Sequence, residues 1–160
     1  MKKTILSLLI VSIVLTGSYL FYNFKKNKAK EEYFKTWSPK DLNPKSFIEL
    51  FTEAHNKKPL NFITMTGEFP ANWVKPGDVE YLISILDSKK KCCGYMNIFS
   101  STLLNEDADV GGFAIIFMDS YISKTKINLG LNCNPKTDRE SVKRIKNWYK
   151  NSVNKNEHDK

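Results

Sequence analysis

Histidine, the usual general base at neutral pH, occurs only at positions 55 and 158. A metal centre or catalytic triad built on imidazoles therefore has almost no material. His55 falls near the end of the first domain helix, and its predicted role is that of a cation favouring the carbonyl end of the helix dipole. The acids Glu106, Asp107 and Asp109 lack the alternating pattern, central glycine and terminal glutamate of a calcium loop. They precede a helix, so interaction with its dipole is predicted. Ser100-Ser101-Thr102 has no candidate base nearby in sequence and is expected to cap or turn rather than attack a carbonyl. No Walker loop, His-Glu-x-x-His pair, Gly-x-Ser-x-Gly elbow or Gly-x-Gly-x-x-Gly turn occurs. The chain reads as a non-enzyme without cofactor, catalytic residue or metal ligand, and a small hydrolase is the least favoured function.

Two residue sets remain. Cys92, Cys93 and Cys133 are an odd number without Cys-x-x-Cys spacing. In an oxidising compartment Cys133 is expected to bond to Cys92 or Cys93, closing a loop of about forty residues worth about 2–4 kcal/mol. In a reducing one all three stay thiols. Arg139, Lys143, Lys146 and Lys150, spaced four, three and four, form a basic stripe beside the apolar face of the last helix. A solvated face is the plain reading of that stripe, and an acidic partner or anionic lipid is the functional one.

The elements that would position these residues are mostly helices. Asn43-Pro44 supplies a cap and a first-turn proline for a helix with Phe47, Leu50, Phe51 and Ala54 on one face, ending by Lys57-Lys58-Pro59. Leu60 to Thr66 is ambiguous between a short strand and an extended segment, and no real sheet is expected. Lys75-Pro76-Gly77-Asp78 opens a helix carrying Val79, Leu82, Ile83 and Leu86. The interval from Asp87 to Asp109 is too long for a bare loop, so it should hold a short helix or an extended piece around Tyr95 to Phe99, while Lys89 to Lys91 read as a solvated turn. A helix from Asp109, apolar around much of its circumference, belongs in the middle, and Gly111, Gly112 and Ala114 would let another backbone approach it. Thr137-Asp138-Arg139-Glu140 is a capping-box pattern for a helix with Val142, Ile145, Trp148 and Tyr149 inward. Asn151 to Lys160 is polar and expected to fray.

The chain of 160 residues carries a net charge of +8, and its distribution matters more than its size. Residues 1–36 hold seven lysines and two glutamates, whereas 37–150 hold sixteen basic against thirteen acidic residues. Excess charge thus flanks the apolar run 5–24, whose length suits a bilayer core of about 30 Å. An uncleaved anchor is favoured over a signal peptide cut near Thr16-Gly17-Ser18. The expected order is a short tail 1–4, a transmembrane anchor 5–24, a lysine-rich tether 25–36, a helical domain 37–150 and a frayed tail 151–160. Lysine counting alone would keep the domain in the cytoplasm. The two-lysine start before an apolar run places it outside, as a single-pass protein of the cell membrane.

Leu82-Ile83-x-x-Leu86-Asp87 followed by Val110-Gly-Gly-x-Ala114 resembles one HEAT-type helical pair. The set Trp73, Ser100-Ser101, Gly111-Gly112, Ala114 and Trp148 is similar to small exported or membrane-anchored bacterial proteins of unassigned role. The resemblance implies a mainly α fold, one compact domain of about four main helices with a HEAT-like central pair, and supplies no catalytic residues. The functional expectation is a membrane-anchored binding protein of the envelope that engages a protein partner, for instance as an immunity-type protein, through Arg139, Lys143, Lys146 and Lys150. A structural tether is the alternative, and nucleic acid is not expected as a partner.

Overall fold

The computed structural model describes residues 12–26, 36–57 and 61–158, with side chains to 152. The chain divides into two units, residues 1–36 and Trp37–Lys160. In the first, residues 12–26 are helical (α1). Residues 5–11 of the expected anchor and 27–35 of the expected tether lie outside the described residues. Among those described, no helix is long and apolar enough to cross a membrane. This corrects the expectation of a single-pass anchor and of the membrane localisation built on it: the described residues of α1, 12–26, cover about 22 Å at about 1.5 Å per residue, less than a bilayer core of about 30 Å, and they include Lys25 and Lys26.

The second unit corrects the expectation of a mainly α domain without a real sheet as well. Helices α2 (Pro44–Lys57), α3 (Val79–Ile85), α4 (Val110–Ser123) and α5 (Arg139–His158) are joined by five short strands. Strand β1 (Phe62–Met65) runs parallel to β3 (Gly94–Asn97), with Phe62 opposite Gly94 and Met65 opposite Asn97. Strand β5 (Asn132–Cys133) lies antiparallel on the other side of β3, with Cys133 opposite Tyr95. A separate antiparallel pair joins β2 (Lys91–Cys92) to β4 (Ala108–Asp109). The extended piece expected around Tyr95 is thus the central strand of a three-stranded sheet. Helices α3 and α4 pack together, but β2, β3 and β4 intervene in the chain, so the pair is part of an α+β domain and not a helical repeat.

Local chemistry explains most element boundaries. Asn43 caps α2 through its side chain, which accepts the Ser46 N–H at 2.9 Å, and the Ser46 hydroxyl oxygen accepts the Asn43 N–H at 2.9 Å. The start of α5 is shifted one residue from the pattern read in the sequence. Asp138 is the cap, accepting the Ser141 N–H at 2.8 Å, and Thr137 instead donates its hydroxyl to the Ser88 carbonyl at 2.8 Å. Helix α5 then runs to His158, through most of the segment expected to fray.

The core is an aromatic cluster on which α2 and α4 converge. Phe47 and Phe51 stack at 3.9 Å between ring centroids, and Phe47 meets Phe113 and Phe117 edge-on at 5.1 and 5.2 Å. Trp73 packs on Phe69 and Phe117, both at 4.9 Å. Its indole N–H is shared between the Pro39 and Leu42 carbonyls, each at 2.8 Å, so a large apolar surface is buried without stranding a donor. Helix α4 is the central element, with every residue from Val110 to Ile115 buried. Its two glycines permit the packing: a Cβ on Gly111 would sit 2.6 Å from the Leu86 carbonyl oxygen, and one on Gly112 would sit 2.6 Å from the Pro135 carbonyl carbon.

Candidate interaction surfaces

The residues weighed for chemistry do not converge. His55, in the last turn of α2, has Nδ1 3.6 Å from Asp107 Oδ1, beyond hydrogen-bond reach, and that nitrogen is buried without a hydrogen-bond partner. The acids that are neighbours in sequence are drawn apart. Glu106 pairs with Lys136 at 3.2 Å, Asp107 faces His55, and Asp109 pairs with Lys91 at 2.7 Å. Asp109 is only 6% exposed, and its other carboxylate oxygen accepts the Thr137 N–H at 3.2 Å. Burial alone would raise its pKa, but the Lys91 hydrogen bond and the Thr137 amide outweigh that and hold the carboxyl below its ordinary range. Its work is structural, tying the β2–β4 pair to the approach to α5. Among the described residues no group of three or more His, Cys, Asp or Glu side chains is placed to hold a metal ion.

Among the described residues no histidine or carboxylate is hydrogen-bonded to Ser100. Its hydroxyl lies 2.7 Å from the Asn132 side-chain amide, and the hydroxyl oxygen accepts the Thr102 N–H at 3.3 Å. In this structure Cys92, Cys93 and Cys133 are unbridged, with Cys133 opposite Tyr95 in the sheet. Burial, reinforced by its neighbour Cys93 and by Asp109 and Asp107, pushes the Cys92 thiol up to about 12. Burial, with a smaller effect of Asp107, pushes Cys93 up to about 11. Neither is a thiolate nucleophile near neutral pH.

Apart from the exposed apolar side chains of α1, Ile13 to Phe24, two exposed surfaces of the second unit stand out. The first is the basic stripe on α5. Arg139, Lys143 and Lys150 stand in solvent, and among the described residues none is in an ion pair. Lys146 differs, because its ammonium pairs with Asp87 just beyond α3. Arg144, outside the stripe, pairs with Asp119 of α4 at 2.8 Å. Burial of Val142 and Ile145, with Trp148 and Tyr149 packed against the core, sets how α5 is rotated, and the two surface pairs are compatible with that rotation while the rest of the stripe faces out.

The second surface was not singled out in the sequence. Where β3 ends and β5 begins, Phe99 is 86% exposed, Leu103 62%, Leu131 57% and Ile98 47%. A turn at 98–99 and the segment of Leu131 bonded beside it hold Ile98, Phe99 and Leu131 out. The Asn97 N–H donates to the Leu131 carbonyl at 2.8 Å, the Ile98 N–H to Met65 at 3.2 Å and the Ser100 N–H to Asn97 at 2.9 Å. The Asn97 side chain also accepts the Phe99 N–H at 3.0 Å. Gly130, at φ 65°, supplies the left-handed turn that leads from buried Leu129 to exposed Leu131. A polar-flanked Phe is the only sequence signal for this site, since Asn97, Ser100 and Ser101 are turn formers around Ile98-Phe99.

Comparison of the chain with protein families, with curated proteins and with solved structures gives no match.

Proposed function

We propose that this is a non-enzymatic binding protein that engages a protein partner, anchored by the apolar tip of the sheet, with the α5 stripe presenting charge to the same partner. The carrying observation is the tip. Single exposed apolar residues are ordinary, but Ile98 and Phe99 on one hydrogen-bonded turn, Leu131 on the segment bonded beside it and Leu103 four residues on bring four large ones into one region, as at a protein interface. An aromatic at the centre of such a patch is the usual source of binding energy. The turns are already folded, so little conformational entropy remains to be lost on binding.

The test is co-purification of a stoichiometric partner with wild type and with Phe99→Ser/Leu103→Ser. Loss of the partner with an unchanged melting midpoint supports the reading. Undiminished capture rejects the tip. Turnover of a substrate abolished by changing His55 or Ser100 would reject the class.

A further inference from the structure

The lysine run after α3 and the basic stripe of α5 are about fifty residues apart in sequence, yet the fold brings them together. Thr137 is the connection: its hydroxyl donates to the Ser88 carbonyl at 2.8 Å and its N–H to Asp109 at 3.2 Å. The Lys90 carbonyl accepts the Val110 N–H at 3.0 Å, and the Ser88 carbonyl accepts the Gly111 N–H at 2.9 Å. Residues 88–90 are thereby fixed against the start of α4 and the approach to α5. One residue before them, Asp87 pairs with Lys146, two turns along α5. The segment 87–90 is therefore tied to α5 at both Thr137 and Lys146, and Arg139 and Lys143 lie between those points on the same stripe. Lys89, Lys90, Arg139 and Lys143 are all exposed and, among the described residues, in no ion pair.

We propose that Lys89, Lys90, Arg139 and Lys143 form one composite basic face, and that this face takes a carboxylate-rich segment of a protein. The inference rests on the reading of the chain as a protein-binding module and names the chemistry of the partner. Acids are interspersed in the face, with Asp138 capping α5, Glu140 in its first turn and Asp87 beside Lys146. A polyphosphate backbone, with a charge about every 1.7 Å, would meet those acids as often as the bases. Separate carboxylates on a protein can be spaced to avoid them. Three of the four bases are lysines, which act as point charges and not as the planar forks that arginine offers to phosphate. The neighbouring aromatics Trp148 and Tyr149 pack against the core, so no free ring waits to stack a base.

The experiment is fluorescence anisotropy of a labelled twelve-residue glutamate peptide titrated with the full chain at low ionic strength. Saturable binding that weakens as salt rises is expected. The variant Lys89→Glu/Lys90→Glu/Arg139→Glu/Lys143→Glu should bind at least about tenfold more weakly. A control with the same charge change elsewhere, Lys40→Glu/Lys45→Glu/Lys57→Glu/Lys75→Glu, should lose much less, and Phe99→Ser should lose nothing. Absence of peptide binding overturns the proposal, as does equal loss in the two charge variants. Tighter binding to a DNA duplex, or to vesicles containing phosphatidylserine, overturns it in favour of that ligand. None of these results touches the sheet tip, so the carboxylate inference can fail while binding through Phe99 stands.

Discussion

At the sheet tip the exposed groups are apolar and gather at a hydrogen-bonded turn and the segment beside it; on α5 they are charged and face out because the apolar side of the same helix is buried. Such surfaces contribute differently to a complex. Apolar area gains roughly 25 cal/mol per Å² when it leaves water, and that gain appears mainly as slow dissociation. Exposed lysines gain little once paired, but they raise the rate of encounter and reject partners of the wrong sign. A partner meeting both would be steered by α5 and retained by the tip.

Comparing Phe117 with Phe99 gives the largest contrast. Both are phenylalanines, one fully buried against Phe47 and Trp73, the other in solvent. Phe117→Ala is expected to cost about 3–5 kcal/mol in urea denaturation. Phe99→Ala should change stability by less than about 0.5 kcal/mol. A large loss at Phe99 would mean that the tip is a fold element and not a free surface.

Next in size is the junction that supports the basic face. Asp109→Asn removes the charge facing Lys91 and weakens the bond to Thr137. Lys91 is half exposed, so the expected cost is about 1–3 kcal/mol, below that of a fully buried pair. The sign with pH follows from the lowered pKa of Asp109. Its contribution is complete above the unfolded value near about 3.9 and is lost as pH falls through the lower folded value. Denaturation midpoints of the Asn variant should therefore fall less steeply below about pH 4 than those of wild type. Parallel curves would show that the carboxylate does not stabilise the fold.

The smallest expected effect separates the two surfaces kinetically. In surface plasmon resonance with the partner, raising salt from about 0.05 to about 0.5 M should slow association by about tenfold and leave dissociation nearly unchanged. Phe99→Ser should do the reverse. If salt acts on dissociation, the α5 charges are buried in the complex, and their role is affinity.

The helices were largely legible because their signals are local. Asn43-Pro44 opens α2 where expected, and Gly111-Gly112 sits where two backbones press on α4. The strands were not legible, because β2, β4 and β5 have two residues each and β1 and β3 four. Such lengths are too short for alternation to register, and their pairing is decided by tertiary contacts. At the start of α5, Thr137 and Asp138 are both good caps with a partner three residues on, and only the Ser88 carbonyl that engages Thr137 decides between them. The tip was missed for a related reason: Ile98 and Phe99 look like core residues until the Asn97 turn faces them outward. The joining of Lys89 and Lys90 to α5 depends on contacts across about fifty residues and left no trace in the sequence.

The most direct test of binding through the tip places a photoactivatable benzoylphenylalanine at position 99 in the cell of origin, with position 75 as an exposed control. Irradiation should yield one discrete protein adduct from position 99 and none from position 75. No adduct at 99, or the same adducts from both positions, would contradict a protein partner seated on Phe99.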